Sequence, residues 1–305
     1  MSHNYLVGTG GWAYFKIPNK PSLKAYSELF NFVEVNHTFY EYPQFQLVER
    51  WRRTVQADFT FSVKCHQDLT HRIGFVPTDQ ANEIFLQMQR YCKILDSPFL
   101  VLETPPTYLI NKENVKTAQD FFSSLNIQGL RLVWEYRAPI NQTVIDLMQN
   151  FGIIQCVDLS KQNPCFSSDI TYSRLFGKGQ HNIYQFTDDE LAEINQKAEQ
   201  NNSKTVVLSY HGARMITDAA RFKHFKDTGK FLPVTSFTGV DSAKEVLAED
   251  AQFPASKSEL MLDQGWKVID VTSDRRAHLS EILEKMPEKT YGSLEEVIAE
   301  LRVVL

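Results

Sequence analysis

The chain has 305 residues, 43% apolar and 23% charged, with a net charge of −5 and a pI near 5.9. That length accommodates a large barrel plus a smaller module, or two medium domains, and the acidic balance argues against broad non-specific nucleic-acid binding. No apolar run approaches the roughly 20 residues that span a bilayer, and the first residues, MSHNYLVGTG, lack the basic-then-apolar pattern of a secretion signal.

Eight short runs rich in β-branched and aromatic residues follow one another: YLVGTGGW (5–12), FVEVNHTFY (32–40), FTFSVKCH (59–66), FLVLETP (99–105), LRLVWEYR (130–137), GIIQCVD (152–158), TYSRLFG (171–177) and KTVVLSYHG (204–212). Most are separated by amphipathic stretches. DQANEIFLQMQRYCKIL (79–95) places Ile84, Met88, Tyr91 and Leu95 on one helical face. LSKQNPCFSSDI (159–170) is too short and polar for a full helix, so a loop is expected there. DDELAEINQKAEQ (188–200) opens with acids, which a helix N-terminus favours. ARMITDAARFKHFKDTG (213–229) reads as the eighth helix, stopped by Gly229. This alternation predicts an α/β fold, a (β/α)8 TIM-type barrel over 1–232. After the linker KFLPVTSFTG (230–239), residues 240–305 read as a small helical module. It has one apolar run, WKVIDVT, and a capping box at Ser293 and Glu296.

Residues two apart share a strand face, and one face of a barrel strand points inward. By that parity Glu34, Asn36 and Thr38 look inward from the second strand, opposite Val33 and Val35. His37 falls on the helix side. Ser62, Lys64 and His66 face inward from the third strand. Val133, Glu135 and Arg137 do so from the fifth, Arg174 from the seventh, and Ser209 and His211 from the eighth; Glu103 and Asp158 close the fourth and sixth. The polar positions gather toward strand C-termini, where barrel sites are built. Charges buried there must pair, hydrate or bind something.

Glu34, Lys64 and Glu135 are therefore the catalytic candidates: Glu34 or Glu135 as base, Lys64 as acid or electrostatic stabiliser. Carboxylates beside Lys64 are expected to raise its pKa. Arg137 and Arg174 would grip a phosphate or carboxylate. Trp12, Asn36, Tyr40, His71, Asp158 and His211 complete the expected ligand site, with Trp12 and Tyr40 as stacking walls and Trp51 assigned to core. Scaffolding by buried ion pairs is the competing explanation of the same charges. Cys65, Cys92, Cys156 and Cys165 lack metal-ligand spacing and read as buried reduced thiols, which suits a cytoplasmic protein; no metal is assigned, and the cofactor is unknown. The expected partner is a small anionic ligand of sugar, phosphate or nucleotide type. A nucleic-acid processor and a non-catalytic metabolite sensor are the alternatives, and no membrane partner is expected.

The segments GTGGW (8–12), VEVNHTFYEYP (33–43), FTFSVKCHQDLTH (59–71), EYR (135–137) and YSRLFG (172–177) together resemble the YecE-like barrel family, the domain of unknown function 72. The resemblance runs from about residue 5 to 225. It implies a TIM-type barrel with polar residues lining one mouth, and no established reaction. The chain departs from the family pattern at Gly10, Glu103, Phe176 and Tyr210-His211-Gly212: a histidine is replaced at 176 and one appears at 211. The tail, with FPASK (253–257) and MPEKTYGS (286–293), resembles the domain of unknown function 2795.

Overall fold

The computed structural model describes residues 3–127 and 129–305. Eight parallel strands close a barrel in sequence order: β1 (Asn4–Thr9), β2 (Phe32–Val35), β3 (Thr60–Lys64), β4 (Phe99–Thr104), β5 (Arg131–Tyr136), β6 (Ile154–Val157), β7 (Ile170–Leu175) and β8 (Thr205–Tyr210). β8 pairs back onto β1 from Thr205 opposite Asn4 to Tyr210 opposite Thr9. Helices α1 (Ser22–Leu29), α2 (His37–Tyr40), α3 (Phe45–Thr54), α4 (Asp79–Leu95), α5 (Val115–Ser124), α6 (Gln142–Asn150), α7 (Asp188–Gln200) and α8 (Met215–Thr228) follow the strands.

Local chemistry fixes these bounds. The Thr78 side chain accepts the Ala81 N–H to start α4, and α8 stops at Gly229, whose φ of 75° favours glycine. Gly8 lies where β1 meets β2: a Cβ there would sit 1.9 Å from the Phe32 carbonyl oxygen, so no other residue fits. Tyr26 seals the same corner, accepting the Thr9 N–H at 2.8 Å and donating its hydroxyl to the Phe32 carbonyl at 2.9 Å.

The barrel interior is layered. Leu6, Phe32, Phe99, Val101, Val133, Ile154, Cys156, Tyr172 and Val207 form its apolar part. One residue pair further along the strands, toward their C-terminal ends, the inward positions turn charged. The predicted parity is therefore the observed one for β2, β3, β4, β5 and β7. The second strand is shorter than its sequence suggests. It ends at Val35, and residues 37–40 coil into the single turn of α2. The Thr38 hydroxyl turns the chain there, placed 2.9 Å from the Val35 carbonyl and 2.7 Å from that of Lys64.

Between β6 and β7 no helix forms, as expected from the polar 159–170 segment. Two of the outward residues of these strands, Gln155 and Ser173, are polar, beside the buried apolar Val157 and Leu175. Gln155 accepts the Cys165 N–H at 2.6 Å, and Ser173 accepts the Leu159 N–H at 3.1 Å. Cys165 itself is exposed, unlike the other three cysteines, because it rides on this loop.

The chain divides into two compact units, one of residues up to Leu175 with Lys197–Tyr210, the other of Phe176–Gln196 with His211–Leu305. The first carries all eight barrel strands. The second holds most of α7, α8 and the tail: α9 (Val240–Leu247), β9 (Ala255–Ser256), α10 (Lys257–Gln264), β10 (Val268–Asp270), β11 (Arg276–His278), α11 (Leu279–Leu283), β12 (Thr290–Tyr291) and α12 (Leu294–Val304). The tail thus adds two short antiparallel ladders, β9 with β12 and β10 with β11, to its helices. The reciprocal capping box sits at Ser256 and Glu259 of α10. At α12 the Ser293 side chain accepts the Glu296 N–H, but Glu296 takes the Gly292 N–H instead of completing the box. A chain of ion pairs crosses the second unit: Asp218 to Arg221 at 3.1 Å, Arg221 to Asp188 at 2.6 Å, Asp188 to Arg276 at 2.7 Å and Arg276 to Asp270 at 2.7 Å. Asp270 also accepts the N–H groups of Val234 and Thr235 at 2.9 and 2.8 Å, which ties down the 230–239 stretch.

Candidate active site at the barrel mouth

Glu34, Lys64, Glu103, Glu135 and Arg174 each stand at the last or next-to-last position of β2, β3, β4, β5 and β7. Barrel closure brings them into one layer, and Arg137 joins from just beyond β5. Arg174 is surrounded by acids. Its Nε donates to Glu34 Oε1 at 3.1 Å, and its Nη1 to Glu103 Oε2 at 2.5 Å and to Glu135 Oε2. Glu103 is the counterpart hub, meeting Lys64 Nζ at 2.7 Å and Arg137 Nη1 at 3.2 Å as well. Arg137 Nε also donates to Glu135 Oε1 at 2.8 Å. Three acids and three cations cancel.

Below them, the Tyr172 hydroxyl donates to Glu34 Oε2 at 3.0 Å and lies 2.8 Å from the Ser62 hydroxyl. Since tyrosine has one proton to give, Ser62 is the donor in that second bond. The layer is graded in depth. Glu34 is fully enclosed, Arg174, Glu103 and Lys64 are buried, Glu135 is partly open, and the Arg137 side chain is 36% exposed.

Electrostatics separates these groups. Burial pushes Glu34 up, against the pull of Arg174 and Lys64. Burial also acts to raise Glu103, but the Arg174, Lys64 and Arg137 charges outweigh it and hold the carboxyl at about 2. Lys64 is lowered, by burial first and then by Arg174, with Glu103 opposing. This reverses the expectation drawn from its carboxylate neighbours: desolvation and a guanidinium win over them. Arg174 is raised because its three glutamates outweigh its burial.

Aromatic and histidine side chains surround the layer. Lys64 Nζ lies 3.8 Å from the centre of the Phe39 ring, a cation–π contact. Phe39 meets the edges of Tyr40 at 4.9 Å and His71 at 5.1 Å. His71 is exposed, and burial of its ring still lowers its pKa, with Glu103 opposing. Tyr42 stacks on His66 at 3.9 Å. Trp12 is half-buried, braced edge-on by Trp51 at 5.3 Å, and Trp51 in turn meets the ring of His37. Trp51 is thus half-buried rather than core, and His37 is exposed at the start of α2 rather than on a strand. Asn36 donates its amide to the Gly10 carbonyl at 2.7 Å and so ties the loop bearing Trp12 to the end of β2.

Two expected residues make other contacts. Asp158 accepts from the backbone and hydroxyl of Ser160 at 3.0 and 2.6 Å, turning the chain after β6. His211 belongs to the second unit, where its ring packs 5.0 Å from Phe176. The two departures from the family pattern at 176 and 211 are therefore neighbours. Sequence parity had brought Glu103 to the inward face without giving it a role, and it proves to be a hub. Tyr172, two residues before Arg174, carried the same signal. Among the described residues no group of three or more His, Cys, Asp or Glu side chains is arranged to hold a metal ion. Among them, too, no helix is long and apolar enough to cross a membrane.

Comparison with known proteins agrees with this architecture. Crystal structures of DUF72 family proteins from Thermotoga maritima MSB8 and Enterococcus faecalis V583 superpose with TM-scores of 0.60 and 0.59, at 20% and 15% identity. Each covers 74% of this chain, and 100% and 98% of its own, which establishes the shared fold. The chain is also similar to the UPF0759 protein YunF of Bacillus subtilis (strain 168), 28% identical over 120 residues; the match spans 36% of this chain and 43% of that protein's length. The sequence model for "Protein of unknown function DUF72" matches residues 6–231, so the chain belongs to the DUF72 family.

Proposed function

We propose that the protein binds or processes a small anionic or polyhydroxylated molecule at the C-terminal mouth of its barrel. One observation carries this: six charged side chains from five strands and one loop converge in a single buried layer, graded from enclosed Glu34 to half-open Arg137. Scaffolding alone rarely needs so many, because a well-packed apolar layer of the same volume is commonly as stable. Arg137 and then Glu135, the most exposed of the six, meet the ligand first. Glu135, the most open acid, is the base, and Lys64, with its lowered pKa, exchanges or donates a proton. Glu34 has no exposed surface and acts through Arg174. Trp12, Asn36, Tyr40 and His71 flank the entrance, and Asp158 and His211 lie at the ends of their own strands.

Four free cysteines, three of them buried, support a reducing compartment, and on that ground we place the protein in the cytoplasm. The tail's likeness to the domain of unknown function 2795 is supported by the β9–β12 ladder, which pairs its two motifs through Ala255 with Tyr291 and Ser256 with Thr290. The test of the mouth is calorimetric titration of the full chain with inorganic phosphate, glucose 6-phosphate and neutral sugars. Binding of any of them should weaken on the order of 10- to 30-fold in Arg137→Ala, the scale of one charge-assisted contact. If none of these probes binds the parent, the charge layer is a strut and the proposal fails.

A further inference from the structure

The charge layer limits what the mouth can hold. Arg174 already contacts three glutamates, Lys64 contacts Glu103, and Arg137 contacts Glu103 and Glu135. An incoming anion would approach cations whose charge is already matched by carboxylates, and the acids beside it would repel it. A hydroxyl meets no such obstacle. It donates to a glutamate and accepts from the adjoining guanidinium or ammonium, so a balanced acid–cation layer suits a neutral polyol.

The rim adds a second, independent feature. The loops after β1 and β2 hold tyrosines whose rings lie open: Tyr14 is 84% exposed, Tyr40 65% and Tyr42 43%. Large aromatic rings are costly to leave in water. Two of these three are held in place from behind. Tyr40 rests against Phe39, which itself carries the Lys64 ammonium, and Tyr42 is stacked on His66. Trp12 is fixed by Trp51 and by the Asn36 bond to Gly10. The rings are thus braced, with a face or edge left over, and Phe39 links Tyr40 directly to the charge layer. Braced aromatic faces beside paired acids and cations match the two surfaces of a pyranose: apolar C–H faces and a hydroxyl edge.

We infer that the mouth binds a neutral carbohydrate, its ring faces on Tyr40 and Trp12 and its hydroxyls on Glu135 and Arg137. The inference rests on the proposal that this mouth is a ligand site, and goes further by choosing the neutral class over the anionic one. The net acidity of the chain points the same way, since it disfavours phosphorylated and polymeric anions.

The experiment titrates the full chain with four neutral trisaccharides, cellotriose, maltotriose, xylotriose and N,N′,N″-triacetylchitotriose, beside glucose 6-phosphate, inorganic phosphate and an oligothymidylate. At least one trisaccharide should bind, with affinity changing less than about two-fold between low and high salt, because no net charge is transferred. Tyr40→Ala should weaken that binding by roughly five- to ten-fold, the scale of one aromatic contact, whereas Tyr40→Phe keeps it. Circular dichroism of both variants, expected to match the parent, separates this loss from misfolding. Binding of the phosphates alone, sensitive to Arg137→Ala, would overturn the carbohydrate inference and leave the ligand site standing. Binding of the oligothymidylate alone would also overturn it. A trisaccharide that binds Tyr40→Ala as tightly as the parent would remove the rim from the inference and refute it. Silence from every probe would remove the site itself.

Discussion

Replacing Arg174 by methionine keeps an unbranched apolar stem and deletes the charge. The layer then holds three carboxylates against two cations, and fully enclosed Glu34 keeps its Tyr172 hydroxyl but loses the guanidinium. Removing one partner from a buried ionic cluster costs about 3 to 5 kcal/mol, because the remaining charge stays desolvated and uncompensated. At roughly 2 °C per kcal/mol for a chain of this size, the melting temperature should fall by about 6 to 10 °C at pH 7. Adding Glu34→Gln should recover on the order of 1 to 2 kcal/mol, since the two residues touch and their effects do not add. The pH dependence has a definite sign. In the parent, Glu103 is held at about 2, below its ordinary 4.5, so the stability it contributes is present above pH 4.5 and is lost as pH falls toward 2. Without Arg174, Glu34 and Glu103 lose a charge that pulls their carboxyls down, and protonating Glu34 relieves the excess charge. The gap between variant and parent therefore narrows between pH 7 and pH 5. Thermal melts by circular dichroism at both pH values read this directly. A variant that melts with the parent at pH 7, or a double variant no more stable than Arg174→Met, would refute the account of the layer.

Asp218 is fully buried, and burial raises its carboxyl to about 7 against the pull of Arg221. With a folded value above the unfolded 3.8, its protonation favours the folded state, so stability should fall as pH rises from about 4 to 7, and Asp218→Asn should flatten that slope in denaturant titrations. Ser256→Ala removes a reciprocal capping box and should cost about 1 kcal/mol, with Ser293→Ala, whose bond to the Glu296 N–H is long and belongs to no reciprocal box, costing roughly half of that in parallel chemical denaturation. We propose that residues 240–305 fold alone, because Leu247, Ile269, Leu283, Tyr291 and Leu301 belong to one core within them; a fragment of those residues should melt cooperatively, and a featureless melt would count against it.

The features with a strong period were legible in the sequence. α4 runs over Asp79–Leu95 as its apolar spacing and flanking Thr78 require, and strand parity alone put Glu34, Lys64, Glu135 and Arg174 on one face. Side-chain hydrogen bonds to distant backbone were not legible. The β-rich run at 32–40 hides a helical turn because Thr38 bonds to the carbonyl of Lys64, 26 residues away. The lowered pKa of Lys64 was hidden for a related reason: sequence shows its oppositely charged neighbours on the strands, but not the desolvation that closure imposes. Glu103 as hub needed the distances to two cations on other strands. The capping box expected at Ser293 is left open because Glu296 turns to the Gly292 N–H, and the reciprocal box forms at Ser256, where the sequence reading placed none.

The β6–β7 side of the barrel is sealed differently from the rest. Where Gln155 and Ser173 face an irregular loop, the contacts include hydrogen bonds, which water can replace in kind. Helix-backed strand surface, once separated, exposes apolar groups with no such substitute. Amide protons along the loop should therefore exchange with solvent sooner than those of β2 or β4. The same side carries Arg174 on its inner face, so the wall with the irregular loop also holds a charge that three glutamates of other strands share.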